Sequence, residues 1–340
     1  MKKKFVLTLA LVLMVAASLV AATPVEVSGS FKTGYEFKFA STNAAKQIED
    51  TNEAELVTFL DFTGDFWKVS LNAGSAVQYH DEQGVQAKAE IYLDKALAEQ
   101  GVDMGDIALT LHVGTGVSGD ASSVLADKNE FRKKATISKV TLASNADTFG
   151  ITLGYSDLVK VYFSANPTNN DLPMVVGATV TPLDGVSVAA GFTNSYKGSV
   201  DNALTVSAKA DVATLADLDF TLVATGELIL DLGAEKNMIN ADVVGGYEGV
   251  EAWVAYQKYY DGVNKLAVKV GYETDIEDFT VSASVKAQMN DLSNIVKATS
   301  EYTVAAGAKY AMGGATYALD AKYEVNAEAF YVTPSVSISF

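Results

Sequence analysis

Three features of this 340-residue sequence predict an all-β chain, closed as an antiparallel up-and-down barrel that spans a membrane. Apolar residues recur at every second position along most of the chain, which is the period of strands and not of helices. The composition is greasy, 49% hydrophobic with a mean hydropathy of +0.15, yet no long apolar run follows the N-terminal stretch. A membrane barrel reconciles the two, because it spreads its apolar residues along one face of every strand. Finally, the chain has no cysteine and only 5 prolines. Disulfides and thiolate metal sites are excluded, and no proline-, glycine- or serine-rich break separates two domains.

The N-terminus reads as an export signal. Lys2, Lys3 and Lys4 precede an apolar run from Phe5 to Val20, and small residues follow, with Val20 and Ala22 placed for cleavage after Ala22. That pattern predicts a signal peptide over 1–22 and a mature single domain over 23–340. An uncleaved anchor is the rival, but the run falls short of the roughly 20 residues a spanning helix needs.

Strand one is predicted over 25–39, with Val25, Val27, Phe31, Tyr35, Phe37 and Phe39 on one face. Further strands follow at about 55–63, 66–79, 85–93, 107–117 and 133–143. Phe149, Ile151, Leu153, Tyr155, Val159, Val161 and Phe163 all fall on odd positions, so 148–164 reads as one long strand. Eleven more run from 174–181 to 329–340, separated by turns such as Glu248-Gly249 and Gly313-Gly314. The total is eighteen strands, with sixteen as the alternative. The longer connections, among them 40–54, 118–132, 165–173 and 290–301, each follow an odd-numbered strand, so they gather on one rim. The segment 94–106 is too long for a turn on the opposite rim, and Leu93, Leu97 and Gly101 allow one or two helical turns there. Aromatics recur near strand ends, as at Phe39, Phe62, Phe163, Tyr256 and Tyr323, where interfacial girdles would lie.

The last eleven residues carry the sharpest signal. Phe330, Val332, Pro334, Val336, Ile338 and Phe340 alternate with Tyr331, Thr333, Ser335, Ser337 and Ser339. This segment resembles the closing strand of bacterial outer-membrane β-barrels, which ends in Phe after alternating apolar residues. The resemblance implies that Val336, Ile338 and Phe340 form the signal read by the β-barrel assembly machinery. It departs at Ile338, where that family often has an aromatic. Pro334 cannot donate to a ladder, so a bulge or a missing ladder bond is expected there. An ordinary last strand of a soluble sandwich is the competing reading. In a closed barrel this strand pairs with 25–39.

Enzyme chemistry finds little support. His80 and His112 have no companions at ligand spacing, and no nucleophile elbow, phosphate loop or dinucleotide fingerprint occurs in a strand-to-helix context. No cofactor is implied. Asp94, Asp103 and Asp106 lack the spacing of a dedicated Ca²⁺ loop. Removing the three leader lysines leaves 22 basic against 42 acidic residues, a net charge of −20, which disfavours nucleic acid and enriches cations near a pore mouth.

Strand parity sorts the charged residues. The predicted inward face carries Lys32, Glu36, Lys38, Lys68, Lys88, Glu90, His112, Lys209, Lys269, Glu273, Lys286, Lys309, Asp320, Lys322 and Glu324. Sixteen to eighteen strands enclose an aqueous lumen. Such a chain resembles the general bacterial porins in architecture and in its C-terminal strand. The resemblance implies passive diffusion of small hydrophilic solutes and ions, an outer-membrane location amid its lipid, a homotrimer, and a third long loop folded into the pore. That loop is 118–132 here, with Asp120, Asp127 and Glu130 as candidate constriction acids and Arg132 beside them. The family's Pro-Glu-Phe loop signature is missing, and Arg132 is the sole arginine of the chain, so an arginine ladder cannot form. A fully solvated loop is the alternative. A weak cation preference follows from the acidic balance and these loop acids. A structural or adhesive surface barrel, or a substrate-specific channel, are the rival functions.

Overall fold

The computed structural model describes residues 26–47, 57–73, 86–114, 148–167, 172–196, 201–296 and 299–339. The leader, loop 118–132, His80 and Phe340 lie outside the described residues. Among those described, the chain forms β1 (Glu26–Phe39), β2 (Ala44–Gln47), β3 (Val57–Gly64), β4 (Trp67–Ala73), β5 (Gln86–Tyr92), β6 (Ile107–Gly114), β7 (Thr148–Tyr155), β8 (Val159–Ala165), β9 (Met174–Leu183) and β10 (Val186–Tyr196). It continues with β11 (Asp201–Asp211), β12 (Thr221–Asp231), β13 (Lys236–Tyr247), β14 (Val250–Lys258), β15 (Asn264–Ile276), β16 (Phe279–Met289), β17 (Ser300–Met312), β18 (Ala315–Glu324) and β19 (Ala329–Ser339). Two short helices, α1 (Leu93–Glu99) and α2 (Val212–Ala216), lie in connections.

Every wall strand pairs antiparallel with its sequence neighbour, and β19 closes on β1 from Ser30↔Ser339 to Phe39↔Phe330. Eighteen strands form this closed wall. The short β2 is an addition that pairs with the upper part of β1, from Tyr35↔Gln47 to Lys38↔Ala44. Closure leaves every described wall strand paired on both sides, which is the condition for a sheet to sit in lipid.

The predicted count agrees, but by two offsetting differences. The stretch 148–164 is a hairpin, β7 and β8, joined at 156–158, with Tyr155 opposite Val159. A two-residue turn flips the parity of the outward positions, as between Tyr247 and Val250. A three-residue turn preserves it, so odd positions stay outward through both strands and imitate a single strand. Ser156 takes a positive φ of 47° to make that turn. Against this gain, the predicted strand 133–143 lies outside the described residues, and β6 pairs directly with β7 from Ile107↔Tyr155 to Gly114↔Thr148.

The two rims differ as predicted. One carries the turns 65–66, 156–158, 184–185, 248–249, 277–278 and 313–314, together with the α1 and α2 connections; the other carries all the rest. The helix α1 supplies the helical turns foreseen for 94–106. The helix α2 was not foreseen; Thr214 N donates to Asp211 Oδ1 at its start, and Asp217 ends it in the left-handed region at φ 51°.

At Pro334 the β1–β19 ladder skips. Gly34↔Ser335 and Phe37↔Val332 pair, the two positions between do not, and the register is unchanged. That is a missing ladder pairing and not a bulge, the consequence of an absent N–H. On its other side Pro334 keeps its place opposite Leu319.

Candidate pore lining

Register assigns each side chain a face. Val27, Phe37, Val254, Val270, Val304 and Leu319 are exposed apolar residues on one face. Thr193, Thr205 and Asn240, with no exposure at all, lie on the other. In a closed barrel the buried polar face is the interior. Exposed aromatics sit near both ends of the outer face: Phe39, Phe149, Phe163, Tyr302, Tyr323 and Phe330 towards the long-connection rim, Tyr155, Tyr247, Phe279 and Tyr317 towards the short-turn rim. Phe39 and Phe330 adjoin with ring centroids 6.4 Å apart, Phe279 and Tyr310 at 4.9 Å. Two aromatic belts bounding an apolar band are what a membrane barrel presents to lipid. Val336 and Ile338 lie on this outer face, opposite Thr33 and Phe31.

All fifteen residues assigned by parity to the inward face lie on the polar side of the register. They do not form one constellation. On β3 to β7 Lys68 Nζ pairs with Asp61 Oδ2 at 2.7 Å. Tyr92 donates its hydroxyl to Glu90 at 3.3 Å, Glu90 lies 3.9 Å from His112 Nδ1, and His112 Nε2 bonds Thr152 Oγ1 at 2.8 Å. At the seam Lys322 Nζ meets Glu324 Oε1 at 2.8 Å, and Tyr331 donates to the other Glu324 oxygen at 3.2 Å. Both Lys322 and Lys38 stand over the Tyr331 ring, at 4.3 and 5.7 Å. Further round, Lys309 and Glu273 approach to 3.9 Å, and Lys286, Gln288, Asn290 and Glu301 form a hydrogen-bonded chain. Lys269 and Lys286 sit directly opposite in register, two like charges side by side.

The interior is lopsided. Inward residues of β8 to β15 are largely buried, among them Tyr162, Ile229, Met238, Trp253 and Ala267. Tyr259 and Tyr260, at the β14–β15 connection, pack over Ala203, Ile229 and Met238. Below them runs a buried polar row: Gln257 Nε2 donates to Asn240 Oδ1, and Asn240 Nδ2 donates to Glu227 Oε2, both at 2.9 Å. Inward side chains of β16 to β19 and β1, Ala329 apart, keep solvent contact, as do most of those described on β3 to β7, so the water-accessible wall is this second arc with its continuation through β7. Glu227, Asp231 and Asp242, all buried on the first arc, were missed from sequence. The predicted strand 218–228 ended before Asp231, and parity alone would have flagged Asp242.

No protein-family model and no curated protein matches this sequence. Solved structures do match in fold. Pseudomonas aeruginosa OccK11 (OpdR) aligns at 9% identity with a TM-score of 0.58, over 93% of this chain and 96% of that one. Pseudomonas aeruginosa OpdL aligns at 8% identity and 0.57, over 93% and 98%. Pseudomonas aeruginosa OccK2 (OpdF), solved in complex with glucuronate, aligns at 9% identity and 0.55, over 93% and 96%. At such identities the likeness is one of fold: a closed, antiparallel barrel of eighteen strands.

Proposed function

We propose that the mature protein is a passive diffusion channel of the bacterial outer membrane, carrying small hydrophilic solutes and ions with a weak preference for cations. The observation that carries this reading is the solvent-accessible inner arc from β16 through β19 to β1, where polar and charged side chains face water inside a closed wall. An eighteen-strand wall is wide enough to hold water and not only side chains. The remaining parts belong to the same proposal. The leader 1–22 is removed on export, Val336, Ile338 and Phe340 present the assembly signal, the barrel sits in outer-membrane lipid as a homotrimer, and the fifteen inward residues line the path. Asp120, Asp127, Glu130 and Arg132 are candidates for a constriction. Stepwise conductance of the purified protein in a planar lipid bilayer tests the reading; a silent bilayer at micromolar protein, or clear anion preference, sinks the channel or its selectivity respectively.

A substrate-specific channel is favoured by one feature, the Tyr331 ring flanked by Lys38 and Lys322. An aromatic face beside two ammonium groups suits a cyclic solute bearing a carboxylate, and a solved neighbour was captured with glucuronate. Glucuronate added to an open channel should then produce brief current blockades. Their absence up to millimolar concentration leaves the non-specific reading standing.

A further inference from the structure

We infer that the sign preference of this channel is set at its short-turn mouth, by a ring of carboxylates on the connecting turns, and not by the wall of the lumen. The inference rests on the channel reading above and locates its selectivity.

Two independent observations carry it. The first concerns the wall that water reaches. Inward positions of β16 to β19 and β1 hold five lysines, Lys32, Lys38, Lys286, Lys309 and Lys322, and five carboxylates, Glu26, Glu36, Glu301, Asp320 and Glu324. This arc is therefore neutral overall, and the accessible inward positions of β3 to β7 keep the balance, with Lys68 and Lys88 against Asp61 and Glu90. Within the arc Lys322 pairs with Glu324, and Lys309 approaches Glu273 of the adjoining β15. A balanced wall does not choose between a cation and an anion.

The second concerns the rim. All eight connections on the short-turn side lie within the described residues. They contain twelve carboxylates: four in 93–106, two each in 212–220 and 277–278, and one each in 65–66, 156–158, 184–185 and 248–249. Against these stands a single ammonium, Lys95. The ring is thus eleven charges negative. Its charges are spread over seven of the eight connections, from β3 round to β16. The Gly313-Gly314 turn carries none, so the accessible arc is entered between the acids of 277–278 on one side and of 65–66 on the other.

The rim is also concave where it is richest. Between the α2 connection and the 248–249 turn lies a recess of about 1100 Å³ that includes Asp217, Asp219, Glu248, Glu251 and Glu273 among its walls and no basic residue. Glu251 and Glu273 are inward wall positions, so the recess continues the acid surface into the lumen. A one-sign concavity beside a low-dielectric wall focuses the field and raises the local cation concentration.

The reach of such a ring depends on salt. Screening lengths are about 10 Å at 0.1 M and about 3 Å at 1 M, so rim charge governs ions crossing the mouth in dilute salt and fades in concentrated salt. The barrel carrying Asp217→Asn, Asp219→Asn, Glu248→Gln, Glu277→Gln and Asp278→Asn tests this in planar bilayers. None of the five is a wall position, and the amides keep the left-handed turn residues at similar cost. We expect the cation-to-anion permeability ratio, read from the reversal potential across a salt gradient centred near 0.1 M, to fall by at least roughly twofold. The conductance at 1 M salt should match that of the unaltered channel. An unchanged ratio in a variant of unaltered 1 M conductance overturns the inference while leaving the channel itself intact. So does an equal fall produced by Asp120→Asn, Asp127→Asn and Glu130→Gln in an untouched rim. Should the fivefold variant not assemble, Asp219→Lys alone, on an exposed connection, is expected to move the ratio in the same direction, and failure to do so overturns the inference. A silent unaltered protein overturns the channel reading instead.

Discussion

Asn240 hands an amide hydrogen to Glu227 across the β12–β13 ladder, at 2.9 Å, from a position with no solvent exposure. The same residue accepts from Gln257 on β14, so one amide ties three strands together on the inner wall. Replacing Asn240 with Leu removes a donor from a buried carboxylate and an acceptor from a buried amide. Loss of one partner of a buried hydrogen bond costs about 1–3 kcal/mol. Urea unfolding in detergent should show a lower midpoint for Asn240→Leu; a change under about 0.5 kcal/mol, the size expected of an ordinary surface substitution, would mean the row is ornamental.

Gly249 and Gly313 both take positive φ in two-residue turns, at 83° and 61°, but only one is crowded. A Cβ at Gly249 runs directly into the backbone carbonyl of Glu273, whereas at Gly313 it meets open space. Gly313→Ala should therefore cost only the left-handed penalty, about 1–2 kcal/mol. Gly249→Ala adds a backbone clash, and the total should reach about 3 kcal/mol or more. Heat-modifiable mobility on gels reads folded barrel directly. Equal folded fractions for the two variants would contradict this ranking.

These two sites also mark where sequence stopped being legible. Period-two alternation and turn chemistry located the wall strands, because in a barrel each strand is its own local record of in and out. The pairing of the last strand with the first followed from closure alone. Parity could not detect the Ser156 turn, since a three-residue loop leaves odd positions outward on both sides. Nor could it reveal that the inner face of β8 to β15 is buried while β16 to β1 stays wet. That difference depends on what packs across the lumen, as Tyr259 and Tyr260 do over Ile229 and Met238, and strand periodicity carries no such information. The acid ring on the short turns was present in the sequence, but it becomes a ring only once closure brings the turns onto one rim.

The β16–β17 connection, outside the wall, offers a titration. Asp291 accepts hydrogen bonds from the Ser293 hydroxyl at 2.6 Å and the Ser293 N–H at 2.9 Å. These bonds hold its carboxyl below the ordinary carboxylate value of 3.8. A depressed folded value means the turn gains from ionisation above the unfolded pKa and loses that gain as pH falls through the folded one. Amide exchange at Ser293 should be flat between pH 5 and 8, once corrected for intrinsic rates, and quicken as the pH drops below about 4. Asp291→Asn should abolish the acid step. Protection that persists unchanged at pH 2 would refute the assignment.

Tyr331 is the hinge of the closing seam. It lies opposite Lys38 of β1 and Lys322 of β18 in register, under both ammonium groups, with its hydroxyl donated to Glu324. Two close positions on the same seam lack ladder pairing beside Pro334, so side-chain contacts there carry more of the closure. Tyr331→Phe removes only the hydroxyl and should cost about 0.5–1.5 kcal/mol. Tyr331→Leu also removes the ring, forfeiting a further 0.5–1 kcal/mol or so for each stacked cation. The ion pair between Lys322 and Glu324 persists in both variants, which isolates the tyrosine. Unfolding followed through Trp67 and Trp253, the 2 tryptophans of the chain, should rank unaltered above Phe above Leu. If Phe and Leu unfold at the same urea concentration, the ring contributes nothing to the seam, and closure rests on backbone pairing alone.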